Sequence, residues 1–200
     1  MTEASLSVPL RLRVARVLTE VLAPLVVLMT VLLVAGVATA GWPRGLLLGS
    51  VGGAVGAGIP LTVLVAGLRT GRYGDRHVTR REERPLLMVI GLISVLTGIG
   101  SMAFLGAPRD LLIVMGALLL GVVITLVITL VWKVSAHAAC AAGSAVILVN
   151  LFGPALLSAA VPVAAVGWSR VALGDHTRAQ VIVGTALGVA VVTGTLIATG

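Results

Sequence analysis

Between Asp110 and Lys133, across residues 111–132, the chain carries no charged side chain. A run of this length matches the roughly 20 apolar residues a helix needs to cross the hydrocarbon core of a bilayer. Comparable runs recur at about Val21–Ala40, Leu46–Leu68, Leu86–Leu105 and Ala179–Ile197, and residues 138–168 are apolar for 31 positions. Charged residues make up only 10% of the chain, against about 25% in a soluble domain. They fall in short blocks between the runs, and the mean hydropathy is +1.16. The pattern predicts an all-α fold: one polytopic transmembrane helical bundle of six to seven spans over residues 1–200, in the cell membrane.

The blocks divide the chain. Residues 1–19 form a basic head with Arg11, Arg13 and Arg16. Arginines, an apolar run and Ala38-Thr39-Ala40 follow the order of a secretory signal. That run is longer than the usual 7–15 residues or so, and it is read as a retained span. Gly49/Gly53, Gly52/Gly56 and Gly184/Gly188 are each four apart, a spacing that lets helices approach closely in lipid. Pro60 lacks a backbone donor and is expected to kink its helix. Gly153-Pro154 is a breaker that splits the 31-residue run into short helices at about 138–152 and 154–168. Glu20 and Asn150, isolated polar residues in spans, are read as helix–helix hydrogen bonds.

The net charge is +7. Because the basic residues flank spans, they suit lipid headgroups or an anionic substrate. Nucleic acid is not expected, since aromatics are only 3%. The single Cys140 excludes an internal disulfide. Seven crossings bring residues 69–85, 133–137 and 169–176 to one membrane face. That face holds all three histidines, the only lysine and every arginine except Arg44 and Arg109. The positive-inside rule would make it the cytoplasmic face, but several of those cations are candidate phosphate ligands, so the count leaves both faces open.

Arginine at a lipid boundary needs a partner. Phosphate suits it, because the guanidinium fork can bond two oxygens. The plainer reading of Arg170 is a snorkelling anchor. Beside Ser169, Arg170 and His176, however, the same face offers Arg84, Lys133, Ser135 and His137. Two histidines with several cations and no carboxylate cluster suit phosphoryl transfer. One imidazole can attack phosphorus and the other can protonate the leaving alkoxide. Cations and backbone amides would hold the equatorial oxygens. No cofactor is needed, and no carboxylate or cysteine is spaced to complete a metal site.

These residues resemble the type 2 phosphatidic acid phosphatase and haloperoxidase superfamily, in a divergent bacterial integral-membrane form. Its third motif is Ser-Arg, five residues, His, three residues, Asp. Ser169, Arg170 and His176 match it. Its second motif, Pro-Ser-Gly-His, is kept at Ser135 and His137, with Ala136 in place of the glycine. Its first motif is Lys, six residues, Arg-Pro. It fits Arg84-Pro85, with His77 at the lysine position and Arg76 beside it. The motif-bearing core covers about 69–188.

The resemblance implies that His176 is the nucleophile and His137 the general acid. It implies that Arg84, Arg170, Ser169, Ser135 and Arg76 or His77 bind phosphate, with Lys133 a further candidate outside the strict pattern. The family aspartate that orients the nucleophile falls on Gln180. An amide oxygen can accept from the imidazole N–H but carries no full charge, so turnover would be slow unless Asp175 or Asp75 compensates. The implied activity is hydrolysis of a lipid phosphate or pyrophosphate: phosphatidic acid, phosphatidylglycerophosphate or a polyprenyl (pyro)phosphate. The rivals are a non-catalytic lipid-phosphate binding or transport protein and a vanadate-dependent peroxidase.

Overall fold

The computed structural model describes residues 9–73 and 84–200. Among them there is no strand. Lipid supplies no hydrogen-bond partner for a backbone, so each apolar segment satisfies its own amides as a helix. The helices are α1 (Leu10–Val21), α2 (Pro24–Ala40), α3 (Arg44–Gly53), α4 (Ile59–Arg69), α5 (Arg84–Phe104), α6 (Arg109–Val131), α7 (Ala136–Phe152), α8 (Ala160–Ala172) and α9 (Arg178–Thr199). Five helical stretches are long and apolar enough to cross a membrane, or six if the bent pair α1–α2 counts as one. The remaining apolar helix, α7, has 17 residues and rises about 26 Å, slightly less than the hydrocarbon core.

Several boundaries differ from the sequence expectation. The first span starts at Pro24, where proline takes the first helical position and its missing N–H is harmless. Residues 10–21 form the separate α1, set at 43° to α2. Glu20 therefore sits exposed on α1, ahead of the bend. The Pro60 helix adapts through a π-helical turn, Ala54–Gly58, directly before α4. Beyond Gly153-Pro154 a 3₁₀ stretch, Pro154–Ala159, comes first. The following α8 runs on to Ala172, so Ser169 and Arg170 lie in its last turn. Asn150 is exposed near the end of α7.

The apolar core gathers Leu32, Leu48, Met102, Met115, Ile147 and Val192, drawing on α2, α3, α5, α6, α7 and α9. Glycines set the closest approaches. Gly36 and Gly45 bring α2 and α3 backbone to backbone. Gly184 and Gly188 face the backbone of Ser135 and Ala139, while Gly143 meets Val192. Contacts 135–184, 139–188 and 143–192 advance in the same direction along both chains, so α7 and α9 run parallel. Both helices consequently begin at the motif face. At the opposite end Arg44 donates to the Gly106 carbonyl at 2.7 Å and Arg109 to the Thr199 carbonyl.

Candidate active site

The third motif is shaped by the way α8 ends. Gly174 adopts φ +74°, a left-handed conformation that glycine takes without steric penalty. Its N–H donates to the Val171 carbonyl at 3.0 Å, and the Asp175 N–H donates to the Arg170 carbonyl at 3.1 Å. This pair of bonds closes the helix. The His176 N–H reaches the same Arg170 carbonyl at 3.2 Å. Backbone hydrogen bonds alone thus hold His176 one residue ahead of Thr177, the N-cap of α9.

Thr177 and Gln180 form a capping box: the Thr177 hydroxyl accepts from the Gln180 N–H at 3.3 Å, and Gln180 Oε1 accepts from the Thr177 N–H at 3.1 Å. The same Oε1 lies 3.1 Å from Nδ1 of His176. A backbone N–H can only donate, so the amide atom facing Thr177 is the oxygen. Nδ1 must then carry a proton, and in the neutral ring the lone pair falls on Nε2. The ring is buried, at 5% exposure.

The second motif is bolted to the third. Ser135 caps α7, its Oγ accepting from the Ala138 N–H at 3.3 Å. Its own N–H donates to the Gln180 carbonyl at 3.2 Å. A Cβ on Gly184 would sit 2.5 Å from the Ser135 carbonyl oxygen, so only glycine permits this fit. His137, the second residue of α7, is buried. Because α7 and α9 are parallel, their N-termini open on the same face. Each carries the positive end of a helix dipole and unsatisfied N–H groups, the elements of an anion site.

Arg170 is fully buried. Its Nη1 lies 3.0 Å from Asp175 Oδ2. A buried guanidinium paired with a carboxylate avoids the penalty of an isolated buried charge. Asp175, expected to compensate for Gln180, is thereby engaged with Arg170. Ser169 is also fully buried; its hydroxyl donates to the Val166 carbonyl at 2.8 Å and accepts from Thr19 Oγ1 at 3.0 Å. Its proton is committed to the backbone, and the side chain ties α8 to α1. Sequence reasoning missed Thr19, and nothing in the sequence of a basic head marks one threonine as the partner of a serine 150 residues away.

Lys133 is half-buried in the link between α6 and α7. Arg84 begins α5, but its side chain, together with Arg76, His77 and Asp75, lies outside the described residues. Among the described residues no three His, Cys, Asp or Glu side chains group to hold a metal ion. Trp132 and Trp168 flank the two motifs and are partly exposed, as tryptophans are at headgroup depth.

A family model described as the PAP2 superfamily matches residues 132–199. That stretch is the connected unit of α7, α8 and α9 with both motifs. No curated protein and no solved structure matches the chain.

Proposed function

We propose, on the match of the PAP2 superfamily model to residues 132–199, that the chain is a membrane phosphatase of that superfamily acting on a lipid phosphate or pyrophosphate. The superfamily is generally one of phosphatases and hydrolases of phosphate esters. A site at the membrane boundary lets a phosphate stay wet while its acyl or prenyl chain stays in lipid.

The single observation that carries the reading is Nδ1 of His176 set against the Gln180 oxygen, which makes Nε2 the nitrogen that attacks from the neutral ring. In the first step Nε2 bonds to phosphorus and the ester P–O bond breaks. His137 gives its proton to the leaving alkoxide. In the second step His137 takes a proton from water, the water oxygen bonds to phosphorus, the P–N bond breaks, and inorganic phosphate leaves. Arg170, Ser135 and the two helix N-termini stabilise the equatorial oxygens in both steps. Arg84, Lys133, Arg76 and His77 complete the cation supply.

The experiment is phosphate release by the detergent-solubilised protein from a panel of phosphatidic acid, phosphatidylglycerophosphate and polyprenyl (pyro)phosphates. Release from one class that disappears in His176→Ala supports the reading and names the substrate. Gln180 in the aspartate position favours one second reading, a catalytically weak relative that binds or carries lipid phosphates. It predicts binding to the same panel without release.

A further inference from the structure

We propose that α1 is a headgroup-layer helix that binds the anionic lipid surface of the leaflet carrying the candidate site. The inference rests on the membrane reading of the chain and is independent of the phosphatase reading.

Its basis is the three-sided pattern of α1. Leu10, Val14, Val17 and Val21 are 76%, 42%, 60% and 59% exposed. At about 100° per residue they fall within an arc of roughly 60°, an unbroken apolar stripe. Ala15 and Thr19 are buried on another side, where α1 meets α8. Arg11 lies on one flank of the stripe and Arg13 and Arg16 on the other, with Glu20 between those two; all four are exposed, and three arginines against one glutamate leave α1 cationic. An apolar stripe edged by arginines suits a helix lodged at the boundary of headgroups and acyl chains. The arginine stems cover the apolar edge and the guanidinium groups reach lipid phosphates.

Length gives the same answer. Residues 10–40 as one helix would extend about 46 Å, well beyond a hydrocarbon core of about 30 Å. The bend of 43° before Pro24 marks where the span ends and α1 departs from it. Thr19 bonds to Ser169 next to Arg170, and Trp168 is 40% exposed beside them. The α1 helix is therefore held at the depth of the motif face. The occupant of the stripe is lipid, and the three arginines select lipid of negative charge.

Full-length protein with Cys140→Ala, carrying a spin label at Val14→Cys or Val17→Cys, would be reconstituted in phosphatidylcholine vesicles with and without phosphatidylglycerol. The expected labels are more accessible to oxygen than to a water-soluble nickel chelate. The docked-to-undocked ratio should rise with phosphatidylglycerol by about fivefold per arginine, and Arg11→Gln/Arg13→Gln/Arg16→Gln should remove that rise. Labels that face water in both vesicles would overturn the proposal. Labels in lipid with no dependence on lipid charge would overturn it equally, because the arginines would then select nothing. None of these readouts depends on phosphate release, so a failure here and an inactive enzyme are separate results.

Discussion

The side-chain oxygen of Gln180 stands 3.1 Å from His176 Nδ1 and 3.1 Å from the main-chain nitrogen of Thr177. One atom both caps α9 and sets the imidazole tautomer. Gln180→Leu removes both roles. It is expected to lower stability by about 1 kcal/mol through the lost cap and to lower phosphate release by about 10²-fold or more through the misset nucleophile. Gln180→Asp puts a carboxylate beside the ring and adds a charge that stabilises imidazolium. A charge-assisted bond is about twice as strong as a neutral one, so phosphate release should rise by roughly tenfold. Thermal unfolding and steady-state kinetics on the two variants check both statements.

Arg170 is buried against Asp175, so an incoming phosphate meets a guanidinium that already has a carboxylate. Asp175→Asn removes that competitor and weakens the support of a buried charge. The variant should unfold at a lower temperature than the parent without ligand. Added vanadate or phosphate should then recover more stability in the variant, because a ligand that binds only the native state stabilises it by mass action. Thermal shifts across a vanadate series measure this. Equal shifts in parent and variant would mean that Arg170 does not hold the anion.

Gly184 and Gly188 let α9 lie on the backbone of Ser135 and Ala139. Any side chain there must push the helices apart. Gly184→Leu is expected to destabilise by about 1–3 kcal/mol through overpacking and to separate Ser135 from Gln180. Gly194, where a Cβ would meet nothing within 4 Å, is the control. Gly194→Leu should leave both stability and phosphate release close to the parent. Loss of activity in the Gly184 variant alone would show that close packing of α7 on α9 builds the site.

On the seven-crossing reading of the sequence, residues 74–83 and the end of α9 are expected on opposite membrane faces. Reporter fusions at Gly200 and within residues 74–83 should therefore read opposite compartments. Two equal readings would contradict the seven-crossing arrangement. The same pair of fusions tests the cytoplasmic placement of the motif face expected from the positive-inside rule.

Much of the architecture was legible in the chain because lipid leaves few choices. Uncharged runs such as 111–132 had to become helices, and Gly153-Pro154 had to interrupt the longest of them. Gly184 and Gly188 could be read as a close-packing face by spacing alone. The partner helix could not be read, because packing between distant segments leaves no local signature. Thr177-Arg178-Ala179-Gln180 has the form of a capping box, so the N-terminus of α9 was written locally, whereas the second duty of Gln180 toward His176 emerges only once α8 has closed. The 3₁₀ stretch at 154–159 and the separation of α1 from α2 depended on geometry beyond composition. The bond from Thr19 to Ser169 had no local signal at all, because it joins residues 150 positions apart.

The central claim is that Nε2 of His176 takes the phosphoryl group. The most direct measurement mixes the protein with a radiolabelled lipid phosphate, quenches in alkali, and maps the labelled peptide. The account predicts an acid-labile, alkali-stable label on the peptide containing His176, absent from His176→Asn. Phosphate release with no such label, or with the label on any other residue, would contradict it.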